Sequence, residues 1–229
     1  MTVPQQRTAD RTAASGAIDF TVMYATHDAF RRDLSRLAAA TAEGRAVTAG
    51  VRAGWENFQH QLHVHHTVED AELWPRVERA VAHRPADLAL MREMEEEHAR
   101  LGPLLEAVDH ALSGSSSGSG AGTGDRPPAD LPERVRELAD VLGAHMRHEE
   151  QSALPLIQEV LTPKDWAAFR GGMARAQGPR GAAGYIPWIL DGIGAEDRRA
   201  FLAAMPAPVA VVNRLFLAGR YRRRDYWGS

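Results

Sequence analysis

The chain has 229 residues, 44% hydrophobic and 25% charged, with a formal net charge of -3, the balance of a globular protein able to bury one core plus an appendage. The absence of cysteine excludes disulfides, thiolate catalysis and Cys-based zinc or iron–sulfur sites, leaving His and carboxylate as the strong metal ligands. The small net charge gives no reason to expect nucleic acid or an anionic membrane as a partner. The polar start MTVPQQRTADRTAASGA has no apolar segment of a signal peptide, and no run reaches the roughly 18 apolar residues of a membrane span. A soluble, cytoplasmic protein is expected.

Residues 1–17 are polar and unpatterned and are expected to form a disordered leader. From Ile18 the residues Phe20, Met23, Tyr24, His27, Phe30, Leu34 and Leu37 recur at threes and fours, which predicts a first helix that Gly44 stops. Thr48 is the expected N-cap of a second helix running to about Ala82. Its stripe is Trp55, Phe58, Leu62, His65, Glu69, Leu73 and Val77, with a histidine and a carboxylate set where the helix would otherwise be apolar. Pro75 removes one backbone hydrogen bond and predicts a kink just past that pair.

A third helix, roughly Pro85 to Leu112, carries Met91, Met94, His98, Leu101, Leu105, Val108 and Leu112. The Gly/Ser tract 113–130 reads as a flexible linker with a reach of about 20–25 Å. A fourth helix is expected from near Pro132 to about Leu161, with the stripe Leu138, Leu142, His145, Glu149, Ser152, Leu156 and Val160.

The runs HVHHTVEDAELWP and HMRHEEQSALP share one design: a His, a Glu four residues later, a second acid, and a Pro at the tenth position after the His. Helices one and three each place a single His on the seam. The pattern predicts an all-α fold, an up-down-up-down four-helix bundle over 18–161 in which one two-helix unit is used twice. Four histidines and two glutamates then meet at one level. Unpaired buried carboxylates are costly, and no Lys or Arg lies on these seams, so a metal is the economical neutraliser. Two carboxylates that each bridge a pair of cations, with imidazoles at the ends, suit two iron or manganese ions; zinc or a single metal is the alternative.

His27, His65-x-x-x-Glu69, His98 and His145-x-x-x-Glu149, with a proline after each Glu, resemble the hemerythrin-like family and its HHE cation-binding motif. The resemblance implies a non-haem centre of two iron ions joined as Fe–O–Fe or Fe–OH–Fe. Manganese or a mixed iron–manganese pair is the alternative. It further implies Glu69 and Glu149 as bridging carboxylates and His27, His65, His98 and His145 as terminal ligands. The oxygen-carrying hemerythrins have two histidines four apart on the third helix, whereas Met94 and Gly102 flank His98 at that spacing here. His66, one position round the helix from His65, is the expected replacement. His63 and His148 read as flanking residues or as groups behind the ligands rather than as ligands. Glu95 reads first as a helix-surface carboxylate and second as a group orienting His98.

Five imidazoles leave one coordination position open, which suits reversible dioxygen binding; four leave more, which suits reduction of a small oxidant. Phe30, Phe58, Leu62, Met94, Leu101 and Leu142 form an apolar ring that favours diatomics. Tyr24 is a second-shell candidate for a hydrogen bond to a bound oxygen species. The first expectation is a protein that binds or reduces dioxygen, hydrogen peroxide or nitric oxide; if it is an enzyme, the type is catalase, peroxidase or oxygenase. The alternatives are a non-catalytic iron- or oxygen-sensing module and a di-iron oxygenase with an organic substrate.

Residues 162–229 are expected to form a helical extension. It comprises a short helix over PKDWAAFRGGMARAQ, a loop over GPRGAAGY, and two or three helices docking through Trp188, Ile189, Phe201, Leu202, Val212, Leu215 and Phe216. It would serve as a lid, a pocket wall or the face of a homodimer. The basic RYRRRDYWG end reads as a solvated helix terminus, so neither nucleic acid nor membrane is expected as a partner.

Overall fold

The computed structural model describes residues 17–114 and 128–228, and every regular element among them is helical. The leader expected over 1–17, apart from residue 17, and residues 115–127 of the linker expected over 113–130 fall outside these residues. Ser113 and Gly114, at the linker's expected start, belong to the end of a helix.

The first helix, α1, spans Thr21–Ala42, and Gly44 follows in the left-handed region at φ +70°, a conformation that glycine adopts without a Cβ penalty. Thr48 opens α2 (Ala49–Val68) by accepting a hydrogen bond from the Val51 amide. The helix continues through a π turn at Glu69–Leu73 into α3 (Trp74–Ala80). After α4 (Pro85–Gly114), α5 (Leu131–His148) passes through a second π turn, Glu149–Ala153, into α6 (Leu154–Val160).

The two π turns have one cause. Pro75 and Pro155 cannot donate to the carbonyl four residues back, and their rings crowd it. The amides just before them, of Trp74 and Leu154, reach five residues back to the carbonyls of Glu69 and Glu149. The kink expected past the site is thus a widened turn that begins at the site's own glutamate, a common placement for π-bulges. The extra residue also corrects the fourth stripe: Ala153 and Ile157 are buried and Ser152 is only half-buried. Ala153 and Ile157 stand at the same offsets from Glu149 as Leu73 and Val77 do from Glu69.

Two apolar clusters enclose a polar layer. One holds Phe30, Leu34, Phe58, Leu62, Leu101 and Leu142; the other holds Met23, Leu73, Trp74, Met94 and Leu154. The chain passes from the second cluster to the first along α1 and α4, and from the first to the second along α2 and α5. His27, the His65–Glu69 turn, His98 and the His145–Glu149 turn each lie at a crossing. At roughly 1.5–3 kcal/mol for each fully buried large side chain, the clusters offset the cost of holding polar groups between them.

The C-terminal part begins with α7 (Pro163–Leu190), opened by a reciprocal capping box between Thr162 and Asp165. The stretch GPRGAAGY, expected as a loop, is helical: Gly178 turns the backbone once at φ 60°, ψ 176°, and Pro179 restarts the helix with its fixed φ. The Trp188 indole donates to buried Asp33 at 2.7 Å, and Arg32 donates to the carbonyls of Trp188 and Asp191. Further on are α8 (Ala195–Ala203), then α9 (Pro208–Val212), a π turn (Asn213–Leu217) and α10 (Ala218–Arg222) in one continuous helical run. Trp188, Ile189 and Phe201 are buried as expected. Trp227 also docks, on Gly54, where a Cβ would lie 2.5 Å from the indole.

Val212, Leu215 and Phe216, expected to dock, are exposed. The run turns Asn213 inward instead, and the apolar residues on either side of it face solvent. No helix among the described residues is long and apolar enough to cross a membrane.

Candidate metal centre

The polar layer gathers into two groups, His66 with His98 and His145, and His27 with His65 and Glu149, the ligand-type atoms of each lying within 4.8 Å of one another. Glu69 stands between them, its Oε1 3.1 Å from His65 Nε2 and its Oε2 3.8 Å from His98 Nε2. Glu149 Oε2 lies 3.1 Å from His27 Nε2. All seven residues singled out in the sequence therefore converge, His66 among them, its ring stacked on His98 with centroids 3.9 Å apart.

Three imidazoles are held from behind by carboxylates. His98 Nδ1 donates to Asp70 at 2.7 Å, His27 Nδ1 to Glu150 at 2.9 Å, and His145 Nδ1 to Glu97 at 2.9 Å. Asp70 and Glu150 are the second acids of the two repeated runs, and each reaches an imidazole on a different helix. Arg31 adds a 2.9 Å ion pair to Glu150. Glu95, the second reading for the group orienting His98, is exposed; Asp70, at the start of the π turn, takes that place. Glu97, not anticipated from sequence, accepts from both His145 and the half-buried His148. The residue that follows each motif glutamate was the available signal for two of the three carboxylates.

With their Nδ1 protons held by carboxylates, His98 and His145 in the neutral form present bare Nε2 lone pairs to each other, 3.1 Å apart. His27 and His65 approach through Nε2 atoms at 3.3 Å. Facing lone pairs repel unless a proton or a cation lies between them. Both oxygens of Glu69 and both of Glu149 are buried without a hydrogen-bond partner, and so is His65 Nδ1. The short His–Glu distances are close approaches rather than aligned hydrogen bonds.

The electrostatics match. Burial holds the His65 and His66 pKa values well below the usual histidine value, reinforced by His27 beside His65 and by His98 beside His66. Burial, then Glu149 and Asp70, push the Glu69 carboxyl well up. Burial would also raise Glu149, but His27 outweighs it and brings the value down to about 2; burial would lower His27, but Glu149 and Glu150 lift it to about 9. Imidazoles held neutral at His65 and His66, beside a His27–Glu149 ion pair and a strained Glu69 carboxyl, are a donor set that a divalent or trivalent cation satisfies by displacing the remaining protons.

His63 is exposed, and Tyr24 packs half-buried against the second cluster. The extension covers the layer's flank. Gln177 donates to Gln61, one turn before His65, and Gly172 lies against the carboxylate of Glu72. Tyr185 and Thr26, next to His27, share a 2.6 Å hydrogen bond.

Helices that bring buried imidazoles and carboxylates into two facing groups, as the described residues do, have the donor set of a cation-binding helical protein. Residues 19–157 match the family model described as "Hemerythrin HHE cation binding domain", and the chain belongs to that family. No curated protein and no solved structure matches it.

Proposed function

We propose that the protein holds two iron ions in this layer and uses them to bind or reduce a small oxidant, namely dioxygen, hydrogen peroxide or nitric oxide. The observation that carries the reading is the pair of three-residue groups with Glu69 directing one oxygen toward each. His66, His98 and His145 would hold one ion and His27, His65 and Glu149 the other, with Glu69 within reach of both, inside helices that run up-down-up-down. When bound, iron supplies a Lewis acid and a source of electrons. Phe30, whose ring centroid lies 5.5 Å from that of His65, and Phe58 behind it keep the His27–His65 half apolar and dry, which favours a small, weakly polar guest over water. Anaerobic reduction followed by stopped-flow addition of each oxidant tests the reading: a rapid absorbance change, lost in Glu69→Ala, supports it.

A second reading, a sensing module without turnover, is favoured by one observation. The extension rests on the layer through Gln177, Gly172 and Tyr185, so a change of ligand in the layer meets the C-terminal helices first. Oxidant-dependent protection of residues 163–190 in hydrogen exchange, without oxidant consumption, would select it.

A further inference from the structure

Among the described residues, the exposed large apolar side chains lie on one helical run: Val211 at 58%, Val212 at 41%, Leu215 at 63% and Phe216 at 67%. Spaced at one, three and one, they share a face of the run from Pro208 to Arg222. The same run leads into Arg220, Arg222, Arg223 and Arg224, and with Arg214 the segment 208–228 carries five arginines against Asp225 alone, a net +4. The whole chain is -3, so the rest of it carries -7. The five arginines are exposed, and none of them forms an ion pair among the described residues. The opposite face is tied down: Asn213 is buried, and Tyr221 donates to Asp191 at 3.5 Å.

We propose that this helix docks on an anionic phospholipid surface, with Val211, Val212, Leu215 and Phe216 entering the boundary of the acyl chains and the arginines lying among the headgroups. Charge complementarity names the occupant, because five cations without an ion pair among the described residues, beside an apolar strip, match an anionic interface. The strip lies on a convex helix, and four side chains fall well short of the roughly 800 Å² per partner of a stable protein interface. A second copy pairing face to face would bring one +4 segment to another. The overall charge pointed away from membranes because it averages a basic segment into an acidic remainder.

Flotation with vesicles of phosphatidylcholine, with and without phosphatidylglycerol, tests the proposal on the full chain. Binding is expected to the anionic vesicles only and to fall as salt rises. The double variant Leu215→Ser with Phe216→Ser abolishes it. Arg222→Glu with Arg223→Glu weakens it by roughly fivefold or more per arginine. All four positions are exposed, so helix content and metal content stay as in the parent and a folding defect is recognised directly. Absence of binding, equal binding to neutral vesicles, or binding untouched by both variants overturns the proposal. So does a wild-type dimer that the Leu215→Ser, Phe216→Ser variant converts to monomer, which would make the face a self-interface.

Discussion

His98 and His145 meet through Nε2 atoms 3.1 Å apart while their Nδ1 atoms are held by Asp70 and Glu97 on the far sides. The carboxylates fix the tautomer, and the tautomer aims both lone pairs inward. Asp70→Ala should therefore weaken metal binding by about 10- to 100-fold without unfolding the protein. Competition with a chromogenic chelator measures it, and Asp70→Asn, which still accepts a hydrogen bond, should recover much of the loss.

The two motif glutamates should behave differently once metal is removed. Glu149 and Glu150 both pair with His27, so Glu149→Leu in the metal-free protein leaves the buried imidazolium with Glu150 alone and should cost less than the roughly 3–5 kcal/mol of a buried charge stripped of every partner, on the order of 1–3 kcal/mol. Glu69 has no such partner, and Glu69→Gln in the metal-free protein should be close to neutral or stabilising. Both substitutions abolish stoichiometric metal binding. Urea unfolding of chelator-treated protein separates the two effects.

Stability of the metal-free protein should peak near pH 6.5, because below that value His65 and His66, protonated in the unfolded chain but held neutral by burial in the fold, add a penalty that grows as pH falls. The Glu149 contribution is complete above its ordinary value of 4.5 and is lost as pH falls toward about 2; the His27 contribution is complete below 6.5 and is lost as pH rises through about 9. Glu69, raised, adds a penalty that grows as pH rises above the ordinary carboxylate value. Metal loading reverses the alkaline trend, because ligands must shed protons to bind, and uptake near neutral pH should release protons into the buffer. Unfolding curves at several pH values, with and without metal, test the sign of each limb.

Gly54→Ala should displace the C-terminal end. The added Cβ meets the rigid Trp227 indole at 2.5 Å, so a cost of about 1–3 kcal/mol is expected. A red shift of the Trp227 emission, with the metal content unchanged, is the readout.

The layer was legible because histidine and glutamate interrupt strong 3.6-residue stripes, as His65 and Glu69 do between Leu62 and Leu73. His66 was harder to place, since whether a residue one position round the helix from His65 joins the layer depends on its neighbours, here His98, whose ring stacks on it. The π turns were hidden: an extra residue per turn leaves no trace in composition, although the prolines signalled some disruption. Gly178 was read as part of a loop because one left-handed residue and a loop look alike in a Gly/Pro-rich stretch. Leu215 and Phe216 look like core residues in sequence, and only the inward turn of Asn213 shows that they are not.

The most direct test of the central claim is metal content by mass spectrometry on protein from iron-supplemented cells, paired with the visible spectrum of the reduced form before and after oxidant. Two irons per chain, one for each group, with a charge-transfer band that responds to oxidant, is the predicted result. One metal or none per chain, or iron that is spectrally inert to every oxidant, would contradict the account.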